Sequence, residues 1–291
     1  MHVEKSNYSV KRMARLLGVS RSGFYAWCKR EPSKRSIRQI EIEQKVAWFH
    51  GESDEVSGSP KILADLRDDG ETISRKTVAK VMRKLGLKGV CPKRWKTTTV
   101  IDHADAYPVD AAKRQWDTGV LNRVWVGDIT YLRTWEGWLY LATVIDAHSR
   151  RVIGWAIDEH MRTDLVEDAL KMAITLRGEL PEQVVFHTDR GAQYASAQIA
   201  QFAADNGITR SMGLTGICWD NAMAESFFAT LKTEFYYRRA WPTKAGAALA
   251  VGDWIEDRYN RRRRHSSIGQ ISPVAFEMQH CNQTAADQQA A

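Results

Sequence analysis

The chain has 291 residues, 44% of them hydrophobic and 26% charged, a composition typical of a globular protein rather than a disordered one. No apolar run in the sequence is long enough for a membrane span or a secretory signal, so we expect a cytoplasmic protein with no membrane partner. The net charge is +7, but residues 1–100 hold 22 Lys and Arg against 11 Asp and Glu, while the remainder holds 20 against 24; the front therefore favours phosphate contacts, and the remainder is compatible with a metal-cation site.

Residues 1–35 are predicted to form a helix-turn-helix. Met13, Leu16 and Leu17 share one helical face, a glycine follows them, and Ser20 can cap the next helix. In such a unit the start of the second helix enters the DNA groove, which makes Arg21 a candidate DNA contact. A plain helical hairpin is the alternative.

A second unit of the same kind is predicted within residues 36–100. The charged stretch 29–40 contains a proline and suggests a linker. After it, the pattern predicts a helix over about 61–67, a turn, and a helix capped by Ser74 with a buried stripe. The exposed side of that helix begins with Arg75 and Lys76, which are candidate DNA contacts. A solvated basic face is the alternative.

From about residue 122 the periodicity changes from helical to β. Three β-rich segments at 123–134, 137–149 and 150–159 are followed by helix, strand, helix, strand and helix. The order βββαβαβα predicts an α/β fold of the ribonuclease-H-like kind, with a five-stranded mixed sheet and flanking helices. This core is expected over 118–280, including a C-terminal helical tail, with a disordered tail at 281–291.

Carboxylates stand at strand ends of this predicted core. Asp128 lies inside the apolar segment WVGDITYL, Asp189 ends the fourth strand, and Glu225 lies near the start of the last helix. Burying an unpaired carboxylate costs several kcal/mol, so a metal or a partner is the better explanation for Asp128. The first and fourth strands should be neighbours, which would bring hard oxygen ligands together for Mg²⁺ or Mn²⁺. Asp146 can be satisfied by its own turn and is a second-choice ligand.

Helical geometry favours a joint role for the residues around Glu225. At about 100° per residue, Lys232 and Asn221 fall close to Glu225 on the helix surface. A neighbouring arc is apolar and should pack inward, and it contains Ala224, Phe227, Phe228, Leu231 and Phe235. One side of the helix would pack, and its flank would present an acid, an amide and a base.

Four segments together resemble one known group. WVGDITYL, HTDRGAQY, CWDNAMAESFFATLK and YNRRRRHSSIGQISPVAFE are similar to the integrase-type transposase encoded by the second reading frame of two-frame bacterial insertion sequences, within the DDE transposase and retroviral integrase superfamily. Thirty-five residues separate Asp189 from Glu225, and Lys232 lies seven residues past the glutamate, as in that group. The similarity extends over nearly the whole chain.

The resemblance implies a function for these positions. Asp128, Asp189 and Glu225 would bind two Mg²⁺ or Mn²⁺ ions and catalyse nicking and strand transfer at the element ends. Lys232 would contact the DNA end, and positions in the surrounding motifs are further candidate DNA contacts, namely Arg190, Asn221, Arg263 and His265. The implied partners are DNA in the bacterial nucleoid, further copies of this chain, and an upstream-frame protein joined by frameshifting.

The sequence departs from the group's pattern at a few places. Gly127 replaces a larger residue, Ser57 replaces an aromatic residue before Gly58, and the loop containing Leu214, Thr215 and Ile217 lacks its usual basic residue and asparagine. None of these positions belongs to the three carboxylates. A catalytically silent DNA-binding copy and a general ribonuclease-H-like nuclease or resolvase remain as alternatives.

Overall fold

The protein is described here from a computed structural model covering residues 1–91, 119–180, 183–212 and 222–290, with side chains up to 283. Asn221, the loop departures at Leu214, Thr215 and Ile217, and the segment joining the front to the core fall outside these residues. Within the described ranges, no helix combines the length and hydropathy needed to cross a membrane.

The two helices predicted within residues 1–35 are present. Helix α1 spans Val10–Leu16 and α2 spans Arg21–Lys29, after a short 3₁₀ turn at Val3–Ser6. Ser20 caps α2 as predicted, because its hydroxyl accepts a hydrogen bond from the Gly23 N–H at 2.9 Å. Met13 is buried, but Leu16 and Leu17 are exposed, so the predicted apolar face of α1 is narrower than expected.

The second unit contains three helices instead of two. They are α3 at Lys34–Glu52, α4 at Ser59–Asp68 and α5 at Arg75–Lys84. The predicted linker is wrong beyond residue 33, because Ser33 caps α3 and Lys, Arg, Gln and Glu are good helix formers. The three helices pack around one apolar cluster, whose buried members are Ile42, Val46, Ile62, Leu63, Leu66, Val78, Val81 and Met82.

The predicted mixed sheet is confirmed in its strands and their order. The strands are β1 at Val124–Thr134, β2 at Gly137–Asp146, β3 at Val152–Asp158, β4 at Val184–Thr188 and β5 at Ile208–Met212. The order across the sheet is β3-β2-β1-β4-β5. The first three strands form an antiparallel meander. Strand β4 pairs in parallel with β1, and β5 pairs in parallel with β4.

Helices cover both faces of the sheet. Helix α6 (Thr163–Arg177), the short α7 (Ala192–Ala195) that follows β4, and α8 (Ala197–Asp205) contribute to one apolar core. Helix α9 (Ala222–Thr230) contributes to the opposite core and continues as a π-helical segment at Leu231–Phe235. The predicted apolar arc of α9 is buried throughout, which fixes this helix against β1 and β2.

The C-terminal tail packs on that second core. Helix α10 (Lys244–Asp253) continues as a π-helical segment at Trp254–Arg262, and α11 spans Pro273–Ala290. Residues 281–290, predicted as part of a disordered tail, are therefore helical, since Ala and Gln favour helix. Asn260 holds the tail to the edge strand: its amide accepts from the Val152 N–H at 3.0 Å and donates to the Val152 carbonyl at 2.9 Å.

Ion pairs join the front unit to the C-terminal tail and to the segment that follows α9. Arg264 reaches two carboxylates of α4, with Nε at 2.5 Å from Asp65 and Nη2 at 2.5 Å from Asp68. Lys61, on the same helix, lies 3.4 Å from the buried Glu234 carboxylate. These contacts bring together residues more than 170 positions apart in the chain.

Candidate active site

Two of the three predicted carboxylates emerge from neighbouring parallel strands. Val126 of β1 pairs with His187 of β4. Asp128 lies two residues beyond Val126, and Asp189 lies two residues beyond His187, so the common register carries both aspartates to the same level. This is the neighbourhood predicted for the first and fourth strands.

Each aspartate is held locally by a backbone hydrogen bond. The Ile129 N–H donates to Asp128 Oδ1 at 2.8 Å, and the Gly191 N–H donates to Asp189 Oδ1 at 3.0 Å. The second bond closes a turn at the end of β4, as Asp followed by Arg and Gly favours. Asp189 therefore stabilises the turn and also presents its carboxylate at the strand end.

Glu225 and Lys232 approach these aspartates from α9. Glu225 is exposed in the first turn of the helix. Lys232 lies in the π-helical segment, so the regular α-helical geometry assumed from the sequence holds only to Thr230. The Lys232 ammonium lies 4.8 Å from the centre of the Tyr131 ring, and burial lowers its pKa while the Asp128 charge raises it.

The carboxyl group of Asp128 has a strongly shifted pKa. Burial raises its pKa to about 7, and the negative charges of Asp189 and Glu225 add to the increase, while the Ile129 N–H and Lys232 oppose it. A buried carboxylate beside two like charges is stabilised by a cation. The charges of Asp189, Glu225 and Lys232 therefore all act on the Asp128 carboxyl group.

The carboxylates of Asp128, Asp189 and Glu225 are suited to a divalent cation that keeps part of its water shell. Among the described residues, no three His, Cys, Asp or Glu side chains are already arranged to hold a metal ion. Tyr194 is buried, its pKa lies well above 10 because of burial and the charges of Asp128 and Asp189, and its hydroxyl has no hydrogen-bond partner in the described part of the chain. An unpaired buried hydroxyl beside two acids suits the water shell of such an ion.

Asp146, the second-choice ligand, is fully occupied elsewhere. Its carboxylate accepts from the backbone N–H of Asn122 at 2.7 Å and from those of His148 and Ser149 at 3.0 Å each. Arg177 lies 3.5 Å away. Local satisfaction, the alternative considered from the sequence, therefore accounts for Asp146.

A buried polar cluster beside Asp146 was not found from the sequence. Glu277 of α11 accepts from Ser149 Oγ at 2.7 Å, from Arg151 at 2.6 Å and from Arg177 at 3.0 Å. This cluster ties the last helix to the sheet and to α6. The only sequence signal is an acidic residue in an otherwise apolar stretch, which does not identify its partners.

The predicted DNA contacts divide by location. Arg21, Arg75 and Lys76 are exposed at the starts of α2 and α5, as a helix-turn-helix reading requires. Arg190 is partly buried beside Asp189, and Asn221 lies outside the described residues.

Two predicted contacts in the tail face inward. Arg263 makes two hydrogen bonds of 2.8 Å to the Glu234 carboxylate. His265 packs edge-on against Tyr259, and burial together with the positive charges of Arg263, Lys61 and Arg150 lowers its pKa to about 2. A run of four arginines would suggest an exposed basic face. Arg263 instead pairs with Glu234, and His265 packs against Tyr259, so neither side chain lies on such a face. Contact of these two residues with DNA stays a prediction.

The departure at Gly127 has a structural reason. A Cβ atom at this position would overlap the ring of Phe186 and press on the Thr188 side chain. Phe186, on the neighbouring strand β4, thus fills the space that a larger residue in β1 would take. The absence of a side chain at Gly127 is thus matched by the large side chain of Phe186, and Asp128 stays within the regular strand β1.

Comparisons with known proteins agree with this architecture. Two family models described as "Integrase core domain" match residues 121–218 and 206–273, and a model described as "HTH-like domain" matches 37–95. An integrase core after a helical front defines the class of the protein, a polynucleotidyl transferase of the Asp-Asp-Glu type.

Full-length relatives identify the family. Transposase InsF for insertion sequence IS3A of Escherichia coli (strain K12) is 38% identical over 276 residues, 94% of this chain and 95% of the relative. A putative transposase for insertion sequence element IS986/IS6110 of Mycobacterium tuberculosis (strain ATCC 25177 / H37Ra) is 36% identical over 264 residues, 89% of this chain and 95% of the relative. The chain belongs to the IS3 family of insertion-sequence transposases, and as a transposase it binds DNA.

The similar solved structures are more distant in sequence. The simian T-cell lymphotropic virus intasome in complex with PP2A regulatory subunit B56 gamma is 16% identical, with a TM-score of 0.45 over 79% of this chain and 73% of that chain. The HTLV-2 integrase catalytic core domain in complex with magnesium is 16% identical, with a TM-score of 0.42 over 53% of this chain and 95% of that chain.

Proposed function

We propose that Asp128, Asp189 and Glu225 form the catalytic triad of this transposase and together bind two Mg²⁺ or Mn²⁺ ions. The observation that carries the proposal is the register of β1 and β4, which brings two aspartates to the same level. Burial, the Asp189 charge and the Glu225 charge together raise the pKa of Asp128. The unpaired hydroxyl of Tyr194 supports a hydrated ion at this place.

The reaction is two successive displacements at phosphorus. In the first, a water oxygen attacks the phosphodiester at the element end, and the bond to the 3′-oxygen breaks to give a free 3′-hydroxyl. In the second, that hydroxyl attacks a target phosphodiester and a target 3′-oxygen leaves. The bound cations would activate the attacking oxygen and stabilise the leaving oxygen.

The protein's own residues would orient this chemistry. The carboxylates of Asp128 and Asp189, fixed by their backbone hydrogen bonds, set the position of the cations. Lys232 would neutralise a phosphate close to Asp128, since an ammonium beside a developing negative charge lowers the barrier. The exposed basic helix starts, represented by Arg21, Arg75 and Lys76, would hold the duplex through phosphates and groove contacts. Further copies of the chain and an upstream-frame fusion would complete the complex on DNA.

A strand-transfer assay tests the proposal. Purified protein, an element-end duplex and a target plasmid are incubated with Mg²⁺ or Mn²⁺, and nicked and joined products are separated on a denaturing gel. Asp189→Asn should abolish both products while end binding persists, and Asp205→Asn, an exposed aspartate of α8, should leave both unchanged. Undiminished joining by Asp189→Asn would contradict the proposal. End binding without nicking under any metal condition would instead identify a silent copy.

A further inference from the structure

An exposed group of aromatic and basic side chains lies on β1 and β2 next to the carboxylates. Tyr131 pairs with Tyr140 and Arg133 pairs with Trp138, so all four residues point to one face of the sheet. Tyr140 packs against the core on this face, whereas Tyr131 is 60% exposed and Trp138 is 42% exposed. Lys232, from the π-helical segment that follows α9, lies over the Tyr131 ring. We name Tyr131, Arg133, Trp138 and Lys232 the aromatic platform.

The platform alternates rings and cations. The Tyr131 and Trp138 rings meet edge to face, with centres 5.2 Å apart and planes at 88°. Arg133 Cζ lies 5.3 Å from the centre of the Trp138 ring, and Lys232 Nζ lies 4.8 Å from that of Tyr131. Each ring therefore carries one positive group and still exposes part of its surface to solvent.

The platform is continuous with the candidate active site. Tyr131 lies three residues beyond Asp128 on β1, a distance of roughly 10 Å along an extended strand, and this odd interval points the two side chains to opposite faces of the sheet. The platform and the site are therefore joined through Lys232 and not through a shared face. Lys232 belongs to both, because its charge acts on Asp128 while its ammonium lies over Tyr131. A DNA strand whose phosphate sits at the carboxylates would reach the rings within a few nucleotides.

We propose that the aromatic platform binds unpaired nucleotides of the DNA strand that leaves the carboxylates, with Tyr131 and Trp138 stacking on bases and Lys232 and Arg133 contacting phosphates. The inference rests on the proposed function. Proteins that bind single strands combine aromatic rings with a positive surface in this way, and stacking on a ring does not depend on the base.

Charge complementarity favours a nucleic acid over a second copy of the chain. An apolar protein surface on these rings would have to remove water from two cations without pairing them, which is unfavourable. A DNA strand pairs both cations. Stacking of a base is stronger than an exposed cation–π contact, so Lys232 gains by moving from the Tyr131 ring to a phosphate.

The test measures equilibrium binding without cleavage. Element-end DNA is prepared as a blunt duplex and as a duplex with a short single-stranded extension carrying 2-aminopurine, and both are titrated in EDTA. Stacking quenches 2-aminopurine fluorescence. Tyr131→Leu and Trp138→Leu should each weaken binding of the extended DNA by about fivefold or more and remove quenching, with little change for the blunt duplex. Tyr131→Phe, which keeps the ring, should behave like the parent protein.

Three results would overturn the proposal. They are equal weakening on blunt and extended DNA, retained quenching in both leucine variants, and loss of self-association in sedimentation without any change in quenching. Circular dichroism of each variant checks folding, and the two leucine variants sit on different strands, so one can replace the other. Ring-dependent quenching in a protein that joins no DNA would support the platform and contradict the proposed catalysis.

Discussion

The replacement Asp128→Asn should stabilise the metal-free protein at alkaline pH. Burial and the neighbouring carboxylates raise the pKa of Asp128 from 3.8 to about 7. At about 1.4 kcal/mol for each pH unit, this difference corresponds to at most about 4 kcal/mol of stability lost on ionisation in the folded state. Asparagine carries no charge, and its oxygen can still accept from the Ile129 N–H.

The sign of the pH dependence follows from the direction of the shift. A carboxyl group with a raised pKa binds its proton more tightly in the folded protein, so the destabilisation is absent below pH 3.8 and complete above about pH 7. The advantage of Asp128→Asn over the parent should therefore be largest at pH 8 and shrink as the pH falls towards 4. Added Mg²⁺ should stabilise the parent and leave the variant largely unaffected.

Asp146→Asn provides a matched control of opposite sign. Asp146 is also buried in this sheet, but its carboxylate accepts three backbone hydrogen bonds and faces Arg177. Replacing one oxygen by an amide donor should cost about 3 kcal/mol. Urea unfolding of the three proteins in EDTA at pH 5.5 and 8 measures both effects. Destabilisation by Asp128→Asn at pH 8, or an effect independent of pH, would refute the reasoning.

Three further replacements test packing around the site. Asn260→Ala leaves the Val152 backbone groups unpaired and should cost about 2–4 kcal/mol, with faster hydrogen exchange at the Val152 amide; unchanged exchange would contradict the tie. Gly127→Ala should lower the free energy of unfolding in urea by about 1–3 kcal/mol, because its methyl group would overlap the Phe186 ring. Adding Phe186→Leu should recover part of this loss, whereas additive losses would show that residues 127 and 186 do not share space. A double-mutant cycle of Arg264→Ala and Asp65→Ala should give a coupling energy of about 1 kcal/mol, because the two side chains form an ion pair; zero coupling would contradict that pair.

The sequence determined the features that depend on near neighbours. Alternation of apolar residues located all five strands, and Ser20 and Ser74 marked helix starts through hydroxyl caps that involve residues three positions away. The predicted strand order also makes the strands that carry Asp128 and Asp189 neighbours, as the sheet has them. Where local signals misled, as in the charged stretch that begins α3, the helix propensity of Lys, Arg and Glu outweighed the impression of a linker.

The tertiary structure alone decided which polar residues serve packing. The sequence marks Arg263 only as a candidate DNA contact, yet the carboxylate partners of Arg263 and of the adjacent Arg264 lie 29 and 199 positions away. Nothing in the local pattern specifies such partners, because an ion pair depends on where two distant segments meet. The same holds for the volume that Phe186 supplies over Gly127 and for the aromatic platform beside Asp128. Periodicity and spacing act within a few residues along the chain, whereas burial and charge pairing are set by contacts that form only when the sheet, α9 and the tail pack together.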